Sequence, residues 1–298
     1  MPRFSFSESS VELSQTPTPR TWHLPPQVNT LPVNGYEMAY LERGTGKPMV
    51  LVHGGVSDYR HWLLQVRPFS VNYRTISVSL RHFYPERWNG DGDDFSVGQH
   101  VRDMVSFITK LNAGPVHLVG HSLGGDVALL LASAHPDLLR SLVLVEPAPM
   151  YSLLPKTFET IEGIEKSRVS FSAALECLQR GELDKGVEHF IDDIGGSGAW
   201  ENVSERQKEI FRDNAWSIRS LNSAAQEPFT CADAIKINLP LLLVAGEKSE
   251  RAYKIMMDAL LPCLNQHEKI TILNAPHAMN QAYPKAFNAA VLDFLERH

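Results

Sequence analysis

The chain has 298 residues, a formal net charge of −6, and 43% hydrophobic and 21% charged residues, which is long enough to bury a full core and ordinary for a water-soluble globular protein. No Lys/Arg cluster is present, which argues against nucleic acid or an anionic membrane as partner, and no apolar run approaches the ~20 residues of a membrane span. Cys177, Cys231 and Cys263 are widely spaced and read as reduced packing residues rather than a disulfide frame or a zinc site; with no signal-peptide layout at the N-terminus, the expected compartment is the cytoplasm.

Residues 1–28 are rich in Ser, Thr and Pro and read as an arm without its own core, with Trp22 and Leu24 available to pin its end. Leu31–Val33 and Tyr36–Leu41 form a predicted hairpin turning at Asn34-Gly35. The Gly44-Thr-Gly46 loop lacks the downstream residues of a phosphate-binding loop. Met49–Val52 is a continuous apolar strand of the kind buried on both faces of a parallel sheet, and it runs into His53-Gly54-Gly55. A helix over His61–Phe69 and a strand over Thr75–Leu80 follow. The acidic stretch Asp91-Gly-Asp93-Asp94 has Arg102 where a calcium loop needs its last carboxylate, so it reads as a solvated turn. Ser96 and Gln99 have the spacing of a capping box opening a helix to about Leu111.

The stretch Val116–Leu130 concentrates the chemistry. A short apolar strand ends in Gly120-His121-Ser122-Leu123-Gly124 and a helical run begins at once. This is G-x-S-x-G between a strand and a helix, where the bend strains the serine backbone, leaves no room for side chains two residues either side, and lifts the hydroxyl clear of the sheet. The first N–H of the helix, that of Leu123, is aimed at whatever the serine attacks.

Strand Ser141–Val145 then leads to Glu146-Pro147. Between Ala148 and Ile235 the strand–helix alternation stops in favour of helices, one of them spanning Ser204–Leu221 behind a second capping box (Ser204, Gln207), and the block reads as an inserted lid. Alternation resumes with a strand at Leu239–Val244 and Gly246-Glu247-Lys248-Ser249-Glu250, a helix from Arg251 to Leu261, a strand at Lys269–Leu273 before His277, and a closing helix from Pro284. The expected organisation is therefore an α/β core over 29–147 and 236–298 with a helical cap over 148–235. His53-Gly54-Gly55, Ser122, Glu146, the Glu247–Glu250 loop and His277 all follow strands directly, and in a doubly wound sheet the ligand site lies beyond those strand ends.

With these motifs in place, the chain resembles the α/β-hydrolase superfamily from about Leu31 to His298. The resemblance implies a mostly parallel eight-stranded sheet, Ser122 as nucleophile, His277 as its base, and an oxyanion hole from the N–H groups of Gly55 and Leu123. It also implies structural roles for His53 and His121 within the motif loops. The commonest pattern of the family places an Asp three residues after Gly246, where this chain has Ser249. The triad acid is then Glu146, at the end of the sixth strand, with Glu250 as the alternative and Glu247 a further one; both alternatives require a shifted loop. Arg60, Trp62, Arg81, His82 and Tyr151 lie where they could hold a polar substrate group. A serine at 122 excludes the epoxide hydrolase and dehalogenase mechanisms of the same fold, which use a carboxylate there. The implied activity is cleavage of a small-molecule carboxylic ester or lactone, without metal or cofactor, by a monomer or homodimer. Carbon–carbon bond hydrolysis and a non-catalytic receptor using the same pocket remain alternatives.

Overall fold

The computed structural model describes residues 28–92, 95–223 and 228–298. The first half runs β1 (Val28–Val33), β2 (Tyr36–Arg43), β3 (Lys47–Val52), α1 (Leu63–Phe69), β4 (Tyr73–Val78), α2 (Val97–Leu111), β5 (Val116–His121), α3 (Leu123–Ala134) and β6 (Leu139–Val145). Five helices follow without an intervening strand among the described residues: α4 (Phe158–Gln179), α5 (Leu183–Gly195), α6 (Glu205–Asp213), α7 (Ser217–Ser223) and α8 (Cys231–Ala234). The chain then returns to the sheet with β7 (Leu241–Gly246), α9 (Arg251–Leu260), β8 (Glu268–Ile272), α10 (Met279–Ala282) and α11 (Pro284–Glu296). Trp22, Leu24, Asp93 and Asp94 lie outside the described residues.

The eight strands form one sheet in the order β1-β2-β4-β3-β5-β6-β7-β8. β1 and β2 pair antiparallel, as do β2 and β4, and every pair from β4 onward is parallel. The hairpin turn is made by Asn34 and Gly35 at φ 45° and 77°, the two positive values that match the twist of the flanking strands. Apolar residues of each central strand alternate between two cores. Val50 and Val52 of β3 pack with Met104 and Phe107 of α2, Val127 of α3 and Met256 of α9. Met49 and Leu51 face the opposite side, with Phe69 of α1 and Phe287 and Phe294 of α11. A third cluster (Ala174, Leu178, Val187, Phe190, Trp200 and Ile218, with Val56 beneath) belongs to the insertion between β6 and β7.

Several local expectations change for identifiable reasons. The helix expected over Ser204–Leu221 is two helices, α6 and α7. Asn214 ends the first, and its side chain donates to Asp58 Oδ2 (2.6 Å) and accepts from the Tyr84 N–H (2.7 Å), tying the insertion to the core. The Ser204–Gln207 capping box forms, whereas at Ser96 only half does: Ser96 Oγ caps the Gln99 N–H, but the Gln99 amide turns to Asp103 (2.9 Å). The reading of all three cysteines as free is corrected. Cys231 and Cys263 are joined, with Cα atoms 4.7 Å apart, because α8 packs beside the turn at Leu261–Cys263 across 32 residues of chain. Cys177 is free and buried. No described helix is long and apolar enough to cross a membrane.

Arg81, expected as a substrate-binding residue, is instead a structural one. Its guanidinium grips Asp103 with both arms (2.7 and 3.1 Å), and Asp103, fully buried, also receives Asn34 Nδ2 and Gln99 Nε2 at 2.9 Å each. Asp103→Ala would remove the buried carboxylate that both arms of Arg81 contact and leave the Asn34 and Gln99 amides without their acceptor, and we expect a loss of about 3–5 kcal/mol of stability. Urea denaturation reads this as a lower midpoint at unchanged slope; a shift equivalent to less than about 1 kcal/mol, the ceiling for an exposed pair, would contradict it.

Candidate functional site

The bend after β5 holds Ser122 at φ 52°, ψ −119°, a left-handed backbone that an ordinary residue adopts only when its surroundings enforce it. Four backbone hydrogen bonds do so: Ser122 N–H donates to Val145 O (3.1 Å), and Ser122 O accepts from the N–H groups of Gly125 (2.7 Å), Asp126 (3.2 Å) and Ala148 (3.3 Å). A Cβ at Gly120 would overlap the Gly124 carbonyl, and one at Gly124 would sit 2.5 Å from the carbonyl oxygens of Val52 and His53. Both glycines are thus required by β5, α3 and the loop after β3 closing on one another.

That loop, His53-Gly54-Gly55-Val56, is the second wall. The His53 ring accepts the Leu80 N–H at Nε2 (3.1 Å) and lies 2.7 Å from Gly54 O through Nδ1, so Nδ1 carries the proton and donates. Burial pushes its pKa down to about 4, which keeps the ring neutral. A Cβ on Gly54 would stand 2.9 Å from His121 Nδ1 and 3.2 Å from Ser122 Cβ, so the loop can approach the bend only as glycine. Gly55 and Leu123 line one cavity together with Ser122, and Leu123, as the first residue of α3, has an N–H outside the helix ladder.

Glu146 follows β6 at φ 38° and is 2% exposed. Its Oε2 accepts from His277 Nδ1 (2.8 Å) and its Oε1 from the Gly246 N–H at the end of β7 (2.7 Å). Both carboxylate oxygens are therefore committed, and the imidazole is held in the tautomer whose Nε2 lone pair is free. The two other acids point elsewhere. Glu250 is an exposed residue at the start of α9, close to Gly196, and Glu247 caps the Asn274 N–H (2.8 Å). His277 is 4% exposed, and its Nε2 has no hydrogen-bond partner among the described residues. His277 and Ser122 line the same small cavity. His121 Nε2 donates to His277 O (3.1 Å), and its ring lies between those of His61 and His277 at 4.8 and 4.5 Å. Burial and the neighbouring imidazoles push the His121 pKa well down. His121 is thus a neutral spacer that fixes the backbone of His277.

Of the remaining candidates, Arg60 reaches the small cavity, but Asp58 (2.7 Å) and Asp213 (2.9 Å) hold its guanidinium over the Tyr84 ring. Trp62 is fully buried against Phe287, and His82 is bound to Glu86 and stacked on Trp88, so neither lines the cavities at Ser122. Tyr151 does line the larger one. Being near a strand end in sequence does not fix where a side chain points, and here three of the five, Trp62, Arg81 and His82, line neither cavity.

Tyr253 was not among the candidates. Its ring stacks on His277 with centroids 3.8 Å apart and planes 13° from parallel, it is 5% exposed, and the Ser122 side chain is a polar neighbour of its hydroxyl. Burial, together with the Glu146 and Asp193 carboxylates, raises its pKa far above that of an ordinary phenol, so the group stays protonated. The only sequence signal was a tyrosine among apolar residues seven positions after Gly246, which reads as helix packing.

A strained alcohol and an imidazole oriented by a buried carboxylate, beside the backbone of Gly55 and Leu123 on one cavity wall, form a constellation suited to attack on a carbonyl. The model of the alpha/beta hydrolase family matches residues 49–290. The chain is 24% identical to the (E)-2-((N-methylformamido)methylene)succinate hydrolase of Acinetobacter baylyi, over 86% of this chain and 93% of that protein. Among solved structures it is similar to a carboxylesterase of Bacillus subtilis (TM-score 0.70, 18% identity, covering 92% of this chain and 93% of that one). It is also similar to the enol-lactonase of Burkholderia xenovorans (TM-score 0.72, 18% identity, covering 90% and 100%).

Proposed function

Because the chain belongs to the alpha/beta hydrolase family, we propose that it is a serine hydrolase cleaving a carboxylic ester or lactone through an acyl-enzyme on Ser122. The observation that carries this reading is the 2.8 Å contact between buried Glu146 and Nδ1 of His277, a residue that lines one cavity with Ser122. Ser122 Oγ attacks the carbonyl carbon as His277 Nε2 takes its proton; a rotation of the hydroxyl from Tyr253 toward the imidazole brings the two together, as catalytic contacts commonly tighten only when substrate binds. Glu146 stabilises the imidazolium that forms, and the Leu123 and Gly55 N–H groups receive the oxyanion, each being worth about 3 kcal/mol of barrier. The imidazolium then protonates the leaving oxygen, and water repeats the sequence to release the acid. The helices of the 148–235 insertion act as a cap: Phe190, Ile194 and Leu221 come down over Ser122 and Gly55 and exclude water.

Labelling of Ser122 by a fluorophosphonate together with turnover of a short nitrophenyl ester tests the reading. Label with turnover supports it; label without turnover favours a receptor, and the absence of both overturns it. Tyr253→Phe removes one hydroxyl contact from the nucleophile and keeps the stack on His277. We expect labelling to persist and kcat to fall about tenfold at nearly constant KM, the scale of one lost hydrogen bond; an unchanged kcat would mean that the hydroxyl has no part in positioning Ser122.

A further inference from the structure

Two cavities meet at Ser122. One, of about 80 Å³, is lined by His277, His121, Gly54 and Phe211. The other, of about 340 Å³, runs under the insertion between Leu123, Val97, Leu154, Ile164, Phe171 and Tyr253. Gly55, Ser122, Phe190 and Ile194 are common to both, so the bend and one apolar ridge of α5 form the partition. His277 borders only the smaller space and Leu123 only the larger.

We propose that this partition sorts the two halves of the substrate, and that the preferred substrates are esters of bulky apolar acids with one- or two-carbon alcohols. The inference rests on the serine hydrolase reading above. In the acylation step the bond from Ser122 Oγ to the carbonyl carbon forms, and the bond from that carbon to the alkoxy oxygen breaks. The proton taken from Oγ passes through His277 Nε2 to that same alkoxy oxygen, so the alcohol half must lie within reach of the imidazole, in the smaller space. The carbonyl oxygen turns to the Leu123 and Gly55 N–H groups, which leaves the acyl chain only the larger space. After the alcohol departs, water enters the emptied chamber and gives its proton to His277. It attacks the acyl carbon, and the Oγ–carbon bond breaks as Oγ recovers the proton.

The volumes set the sizes. The smaller space is about a quarter of the larger, and an alcohol the size of methanol or ethanol suits it. The larger falls in the range of small-molecule pockets, and its wall is mostly apolar, with Glu159, Lys166, Asp193, Glu250 and Arg251 as its charged members. Each methylene added to the acyl chain is then worth roughly three- to fourfold in kcat/KM until the space is filled.

A pH-stat assay over two ester series tests this with the full chain. With methanol as the constant alcohol, kcat/KM is expected to rise from acetate to octanoate by at least a hundredfold. With octanoate as the constant acid, it is expected to fall by at least tenfold from the methyl to the butyl ester. In Phe211→Ala, which widens only the alcohol side, the fall from methyl to butyl is expected to shrink while the acyl series keeps its slope. A preference for long-chain alcohols on acetate, or a Phe211→Ala variant whose acyl series changes instead, overturns the partition while leaving the serine hydrolase intact. Failure of Ser122 to label, with no ester turned over, overturns both.

Discussion

Ser122→Ala is expected to lower ester turnover by roughly 10⁴- to 10⁶-fold, because the residual rate then comes only from binding and the oxyanion donors. Glu146→Gln is expected to follow with a loss of about 10⁴-fold. The carboxylate serves two donors at once, His277 Nδ1–H at 2.8 Å and Gly246 N–H at 2.7 Å. A glutamine offers one acceptor oxygen, and its amide presents N–H groups to whichever donor the oxygen does not serve. Either the imidazole turns to the wrong tautomer or the end of β7 loses its tie, and no negative charge remains to balance the imidazolium. Glu250→Gln, on the exposed start of α9, should leave turnover within about twofold of the parent, as for a surface change. Steady-state rates for the three variants decide the matter. Near-normal activity in Glu146→Gln together with a collapse in Glu250→Gln would transfer the acid role to the loop after β7.

Acid should unfold this protein well above the pH at which carboxylates titrate. Burial pushes the pKa of His53 and His117 down to about 4 and of His61 to about 3, and that of His121 well below the usual imidazole value. Each of these rings stays neutral in the fold but binds a proton in the unfolded chain below the ordinary imidazole pKa near 6.5. Unfolding is therefore accompanied by proton uptake, and stability falls as pH drops from 6.5 toward 4. Two carboxyls act in the opposite sense. Burial raises the Asp126 pKa well above its ordinary value and that of the part-buried Asp193 above its own, so both release protons on unfolding above pH 4 and their contribution grows as pH falls. Four imidazoles against two carboxyls leave a net loss on the order of a few kcal/mol between pH 7 and pH 5, a large share of the whole stability of many domains. Thermal melts should show Tm lower by roughly 10 °C or more at pH 5 than at pH 7. A flat Tm across that interval would mean that these rings are solvated or charged in the native state.

What was legible in advance was mostly what short-range geometry imposes. Asn34-Gly35 announces its turn because a two-residue hairpin needs two positive φ angles. Gly120 and Gly124 announce the bend because each lies within van der Waals reach of backbone brought there by the motif itself. Glu146 was readable because it follows directly on an unbroken apolar strand, so its place at the sheet's end is known once the strand is. The break at Asn214, the Cys231–Cys263 link, the Arg81–Asp103 pair and the stack of Tyr253 on His277 were not legible. Each depends on a partner between 22 and 156 residues away, and no local pattern of apolar residues encodes which distant side chain will be met.

Residues close together in the chain specify the alternation of elements, the eight-stranded α/β-hydrolase sheet and the strand ends at which chemistry can gather, since strand burial and tight turns are local matters. Which of those side chains face the same space is set by the folded arrangement. It turned Glu146 rather than Glu250 onto His277, sent Arg81 to Asp103, laid Tyr253 over the imidazole and split the room around Ser122 into a small and a large chamber. Those outcomes depend on side-chain direction and on how the helical insertion settles over the sheet, and both are consequences of close packing among parts of the chain far apart in sequence.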